Sequence, residues 1–206
     1  MGTLVTMCTG VAALFLTFSR SAWVVFILLM LFIFGGRIRR LPIFVQIVPV
    51  AVSLVIGLFV VSTFSTKTES VDMRVSLATA AVRQFQSSPI VGVGLGTFTY
   101  HLPSMTTLRS MTFLQPVHSI YMLHVSETGI IGVLVFILWM IFLGNMYIDF
   151  RDKKKLHDAK PWMLACIAVL LLGMIDHYPT TLQQGRLLFA LLVGCLFLAH
   201  DGRVHS

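Results

Sequence analysis

The apolar residues of this chain fall in long blocks instead of recurring singly at helical spacing, a pattern that suits lipid better than a soluble core. The blocks occupy residues 4–18, 22–34, 43–63, 129–148, 161–175 and 187–199. A helix needs about 17–25 mainly apolar residues to cross the hydrocarbon layer; the longer blocks reach that length and the shorter ones need support from their flanks. Hydrophobic residues make up 57% of the 206 and charged residues 11%, with mean hydropathy +0.90. That charged share is well under the roughly 25% of a soluble domain. The expected fold is all-α: a polytopic transmembrane helical bundle of about six spans, forming a single membrane domain over 1–206, with a long extracytoplasmic loop over 64–128.

Only Ser19-Arg20-Ser21 separates the first two blocks, which predicts a tight helical hairpin. The N-terminal block is not expected to be a signal peptide, since it lacks a basic leader and the chain returns at once into a second block. Lysine and arginine set the orientation. Arg37, Arg39 and Arg40 follow the second block, while Arg151, Lys153, Lys154, Lys155 and Lys160 lie between the fourth and fifth. Six spans put both clusters on one side, and the positive-inside rule makes that side cytoplasmic. Both termini are then expected in the cytoplasm, with the 19–21 turn, the 64–128 segment and the 176–186 loop facing outward. Much of the net charge of +7 is thus an orientation signal, and nucleic acid is not an expected partner. Cys8, Cys166 and Cys195 lie in apolar blocks without CxxC spacing, which argues against a disulfide, a zinc site or a thiol nucleophile.

The outer segment carries structure of its own. Val71, Val75, Ala78, Val82 and Phe85 recur at helical spacing. They predict one face of an amphipathic helix that lies on the outer membrane surface or packs on the bundle. Ser87-Ser88-Pro89 ends it, because proline disfavours helical geometry in the residue before it. Gly92-Val93-Gly94-Leu95-Gly96-Thr97-Phe98 lacks the spacing of a dinucleotide fingerprint. It reads as a tight backbone turn from which Phe98 and Tyr100 re-enter the interface, with a phosphate cradle as the alternative.

Pro116 to Gly132, PVHSIYMLHVSETGIIG, then places two histidines and a glutamate at the mouth of an apolar block. Ionisable groups there are costly to bury and are functional candidates. Glu127 lies nine residues after His118, out of phase on one continuous helix. It lies three after His124, a spacing that suits a local pair or a helix-start contact. Asp176 and His177, at the outer end of the fifth block, either orient the site or serve the structure. No carboxylate cluster with metal-ligand spacing occurs outside, so neither a metal nor a cofactor is expected.

Four landmarks carry a resemblance. Thr17-Phe18-Ser19-Arg20-Ser21-Ala22-Trp23 resembles the "SRgaW" signature of the O-antigen ligase and polymerase family. Arg74, followed by Ser88-Pro89-Ile90-Val91-Gly92-Val93-Gly94-Leu95-Gly96-Thr97-Phe98, is similar to that family's "R … nPl-GvGlg-F" segment. Pro116-Val117-His118-Ser119-Ile120-Tyr121 followed by Glu127-Thr128-Gly129-Ile130-Ile131-Gly132 resembles "HN-yl … E-GiiG", with Ser119 in place of the usual Asn. Gln184-Gly185-Arg186-Leu187-Leu188-Phe189 resembles the last outer turn. Members are generally much longer, so the chain resembles their C-terminal half.

The resemblance implies a glycan-transferring enzyme of the bacterial cytoplasmic membrane. It would move an oligo- or polysaccharide from an undecaprenyl-diphosphate carrier to lipid A core, a growing polysaccharide or a protein, without a metal and with inversion. Arg20, Arg74 and His118 become the candidate catalytic residues. The arginines suit a departing diphosphate, since a guanidinium stays charged and bonds phosphate oxygens in pairs. His118 suits proton transfer from the acceptor hydroxyl. Arg186, Glu127 and His177 are the candidate substrate-binding residues, with a structural role as the alternative for each. A non-catalytic membrane component or a transporter-like protein is the other reading of the chain. The gathering of polar residues at one membrane face, away from the midplane, favours surface chemistry.

Overall fold

The computed structural model describes residues 2–17, 19–38, 68–105, 114–152 and 156–201, and these form helices, turns and loops without a strand. The third apolar block, 43–63, lies outside the described residues, as do Arg39, Arg40 and Lys153 to Lys155. The chain divides into two compact units, Met1–Thr68 and Glu69–Ser206.

In the first unit, α1 (Gly2–Leu16) and α2 (Arg20–Ile38) form the expected hairpin. Ser19 starts α2 as its side-chain oxygen accepts a bond from the Ala22 N–H at 3.4 Å, satisfying a donor that has no partner within the helix. Across the turn, the Trp23 indole donates to the Leu14 carbonyl at 3.0 Å.

The second unit holds α3 (Thr68–Ser87), α4 (Phe98–Met105), α5 (Ile120–Asp152), α6 (Leu156–Gly173), α7 (Tyr178–Thr181) and α8 (Gln183–Asp201). Of these, α5, α6 and α8 make the bundle. Met146 and Phe150 of α5 bury against Ala159 of α6 and Leu196 and Ala199 of α8. The two alanines let the backbones approach closely, the usual packing device where lipid removes any hydrophobic drive between helices. Leu134, Val135, Leu138 and Ile141 of α5 remain exposed, as a lipid-facing stripe does. Residues Ile120–Phe150 form a 31-residue helical run, interrupted at Gly129, whose most apolar 18-residue stretch has mean hydropathy 2.3, long and apolar enough to cross a bilayer. Ser21–Ile33 and Gln183–Ala199 are apolar helices of shorter length.

Two sequence expectations are revised. The amphipathic helix forms as α3, but Val75 and Val82 lie exposed and the buried face is Leu77, Ala80, Ala81 and Gln84. Small residues win this face because α3 packs closely on Phe98 and Leu102 of α4 and on Val117 and Leu123. Gln84 earns its burial through a bond, its Nε2 donating to the Phe98 carbonyl at 2.9 Å. The second revision concerns α5, which begins nine residues before Gly129, so the polar run after Ser119 is already helical.

Gly129 breaks α5 with φ 62 and ψ −159, a backbone region essentially confined to glycine. A break of this kind strands helix donors and acceptors, and each needs a partner elsewhere. The glycine-rich loop supplies them. The Ile130 and Ile131 N–H groups donate to the Pro89 and Ile90 carbonyls at 2.9 and 3.1 Å. In return the Val93 and Gly94 N–H groups donate to the Ser126 and Glu127 carbonyls at 3.0 and 2.9 Å. The fit leaves no room for side chains: a Cβ on Gly92, itself at φ 71, would collide with the Glu127 and Thr128 backbone. The reading of this loop as a tight backbone turn therefore agrees with what the loop does, and the surface it meets is the kink of α5.

Candidate active site

The kink fixes where the start of α5 sits. The Tyr121 hydroxyl donates to the Leu170 carbonyl of α6 at 2.9 Å, which brings His118 to the C-terminal end of α6. There His118 meets the α6–α7 turn, its ring centroid 5.5 Å from that of His177. One nitrogen from each histidine and one Asp176 carboxylate oxygen lie within 4.8 Å of one another. Asp176 is held by the turn itself, its Oδ1 accepting from the His177 and Tyr178 N–H groups at 2.8 and 3.4 Å. His177 is buried, and its Nδ1 shares a hydrogen bond of 2.8 Å with the Thr181 hydroxyl.

Arg74, half-buried on α3, adds charge from the other side. Burial pushes the His118 imidazole below its ordinary value and the Arg74 guanidinium pushes it the same way, while the Asp176 carboxylate opposes both. His177 is also lowered, by burial first, with Asp176 opposing and His118 adding to the effect. Both imidazoles are thereby biased to the neutral form, the form able to accept a proton.

Two imidazoles and a carboxylate are also a donor set for a divalent cation. A tetrahedral ion with ligands at about 2.0–2.2 Å would hold them roughly 3.5 Å apart, and all three lie within 4.8 Å of one another. The Arg74 charge that acts on His118 opposes a second cation there. The arrangement fits proton handling better than ion binding.

Beside this cluster lies a cavity of about 950 Å³. Tyr121, Phe136, Trp139 and Phe189 line it, and Glu127, Arg186 and Thr181 reach it among their polar neighbours. Thr181 belongs to both places, since it faces the cavity and bonds His177.

The six sequence candidates therefore separate. Arg74, His118 and His177 come together, and Glu127 and Arg186 line the adjoining cavity. Arg20 opens α2 in the first unit, and its side chain lies outside the described residues. Glu127 is buried and its Oε1 accepts from the Phe98 N–H at 3.1 Å, so it makes a helix-start contact for α4. Asp176, left by the sequence between orienting the site and serving the structure, stands in the cluster, and Thr181 joins it beyond the sequence candidates, with nothing in the sequence to mark it.

No curated protein and no solved structure matches the chain. The family model described as O-antigen ligase matches residues 4–137. The match takes in the Ser19–Ser21 hairpin turn, Arg74, the glycine-rich loop, His118 and the kink. Since it extends over well over half of the 206 residues, the chain belongs to the O-antigen ligase family.

Proposed function

We propose that this protein transfers an oligo- or polysaccharide from an undecaprenyl-diphosphate carrier to an acceptor hydroxyl at the outer face of the bacterial cytoplasmic membrane. Family membership supports glycan transfer of the O-antigen ligase type in general. The observation that carries the finer reading is the pairing of a fixed positive charge, Arg74, with a neutral-biased imidazole, His118, at one end of a membrane-capable helix.

The roles follow from charge. The acceptor oxygen attacks the anomeric carbon opposite the diphosphate, the bond from that carbon to the diphosphate oxygen breaks, and the electron pair leaves with the diphosphate. The hydroxyl proton passes to His118. Attack from the far face inverts the anomeric centre. Negative charge grows on the leaving group, and Arg74 stabilises it without having to reorganise. Arg20 supplies a second guanidinium in this reading. Asp176 balances the imidazolium that forms on His118, and His177 holds the turn that carries Asp176. The acceptor is lipid A core, a growing polysaccharide or a protein.

The test is complementation in a host lacking its own ligase or polymerase, with Arg20→Ala, Arg74→Ala and His118→Ala compared with wild type at equal membrane abundance. Loss of the general base reduces transfer by about 10²–10⁴-fold. Wild-type transfer by all three variants refutes the enzymatic reading.

A further inference from the structure

We infer that the loop from Pro89 to Gly96 is immersed in the membrane leaflet nearest the His118 cluster, with Ile90, Val91 and Leu95 set among acyl chains and Tyr100 at the head-group boundary. The contact is independent of which reaction the cluster performs.

Side chains give the first ground. Ile90, Val91, Leu95 and Tyr100 are 63%, 61%, 76% and 80% exposed, whereas Phe98, which the sequence places at the interface, is buried against α3. No charged residue occurs between Arg83 and His101. Water on this face would meet several large apolar groups and no charge, a surface that marks a lipid or partner contact.

The backbone gives the second. A loop in water can leave its N–H groups to solvent, whereas a loop in lipid must pair them with protein. Pro89 has no N–H to satisfy. Gly92 donates to the Ser88 carbonyl at 2.9 Å, Val93 and Gly94 donate to the Ser126 and Glu127 carbonyls, and Thr97 donates to the Gly94 carbonyl at 3.3 Å. The Thr97 hydroxyl also stands 2.9 and 2.7 Å from the Val93 and Gly94 carbonyls, within donating distance of both. Polar backbone thus turns inward while apolar side chains turn outward.

Depth and continuity name the occupant. The Ile131 N–H donates to the Ile90 carbonyl, so the loop adjoins Ile130 and Ile131 at the head of the exposed stripe that descends α5 through Leu134, Val135 and Leu138. From Ile130 to Phe150 the unbroken part of α5 runs about 30 Å at about 1.5 Å per residue. That length matches the hydrocarbon layer, so with Phe150 at one boundary the kink stands at the other, and any tilt draws it inward. No change of polarity separates the loop from the stripe, and acyl chains serve both. Tyr100 suits the boundary, where its ring can meet chains and its hydroxyl can meet water.

The experiment uses the full chain with Cys8→Ala, Cys166→Ala and Cys195→Ala, and adds Val91→Cys, Leu95→Cys or Leu138→Cys for labelling with the fluorophore NBD. Each protein is placed in vesicles of phosphatidylethanolamine and phosphatidylglycerol that carry phosphatidylcholine brominated either near the head group or deep in its chains. At Val91 and Leu95 the expected result is blue-shifted emission, quenched more by the shallow bromines than by the deep ones and little by aqueous iodide. Leu138 lies about 12 Å further down α5 than Ile130, so its label reverses the order of the two lipids. Water-like emission at Val91 and Leu95, quenched by iodide and by neither lipid, overturns the inference. Blue-shifted emission that neither lipid nor iodide quenches also overturns it, since protein then covers the loop. Quenching at Val91 and Leu95 with the same lipid order as at Leu138 overturns the boundary placement. Transfer is read separately by complementation, so an active protein with aqueous labels would sink this inference and leave the proposed function standing.

Discussion

Replacing Gly129 with alanine tests the device on which the candidate site depends. The residue sits at φ 62 and ψ −159, where a side chain costs about 1–3 kcal/mol in backbone strain alone. Relaxing that strain is blocked, because the new Cβ would stand 2.5 Å from the Ile90 carbonyl oxygen and 2.6 Å from the Gly92 nitrogen. Both contacts are backbone atoms of the docked loop, the Ile90 oxygen accepting from the Ile131 N–H and the Gly92 N–H bonding the Ser88 carbonyl within the loop, so the loop must retreat. Retreat weakens the bonds of Ile130, Ile131, Val93 and Gly94 across the kink, each worth about 0.5–1.5 kcal/mol net. Strain and partial loss of these bonds together predict a destabilisation of about 3–5 kcal/mol, a large part of the roughly 5–15 kcal/mol that holds a native protein. Gly144→Ala is the control, since its Cβ meets nothing within 4 Å in the same helix and gains about 0.5–1 kcal/mol from helix propensity. Unfolding by SDS titration, followed by far-ultraviolet circular dichroism, gives the comparison, and limited proteolysis between Pro89 and Gly96 reports release of the loop. If Gly129→Ala unfolds at the same detergent fraction as Gly144→Ala, the loop does not hold the kink and the reasoning fails.

Other outcomes follow from single contacts. Glu127→Gln keeps an oxygen for the Phe98 N–H and should leave stability within about 1 kcal/mol, whereas Glu127→Ala strands that buried donor at about 1–3 kcal/mol; the same unfolding assay separates the two. For pH, burial and Arg74 hold His118 below its ordinary 6.5, so the base stays unprotonated down to a lower pH and the acidic limb of kcat/KM falls below 6.5. Asp176→Asn removes the one influence that raises it, so the limb moves further down in pH; an upward move contradicts the role given to the carboxylate. Thr181→Val deletes the partner of His177 Nδ1 and should lower kcat more than it raises KM, since the change acts through the cluster and leaves the volume of the cavity wall nearly intact.

The parts of this molecule that sequence discloses are those set by local composition. The 19–21 hairpin, the helix of α3 and the apolar run of α5 all follow from residues close together in the chain. The buried face of α3 did not, because hydrophobic spacing scores Val75 and Val82 above Ala80 and Ala81, while close packing on Phe98 selects small side chains. The start of α5 was hidden for a related reason. Glu-Thr-Gly looks like the edge of a loop, and only hydrogen bonds to a segment some forty residues earlier show that helix lies on both sides of Gly129. Glu127 is the sharpest case, since its partner, the Phe98 N–H, is 29 residues away and its spacing to His124 suggested a nearer one. The meeting of His118 with Asp176 and His177 depends on how α5 packs on α6, which no local pattern encodes. A cavity is a space among several elements and has no sequence signature at all.

The two motif segments that look unrelated in the sequence, the glycine-rich loop and the Glu127–Gly132 run, are therefore halves of one device. A membrane helix broken at Gly129 carries unpaired N–H and carbonyl groups that lipid cannot satisfy, so such a break persists only where protein backbone covers it. The loop from Pro89 to Gly94 provides that cover, and in doing so it leaves residues Ile120 to Thr128 free of the straight course of the helix below. That freedom lets Tyr121 reach the Leu170 carbonyl and puts His118 against the α6–α7 turn. The position of the imidazole is thus governed by backbone hydrogen bonds made at residues remote from it. Substitutions in the loop should then reduce transfer while leaving Arg74, His118, Asp176 and His177 chemically intact, and second-site changes that restore loop docking should restore transfer with no change in the cluster itself.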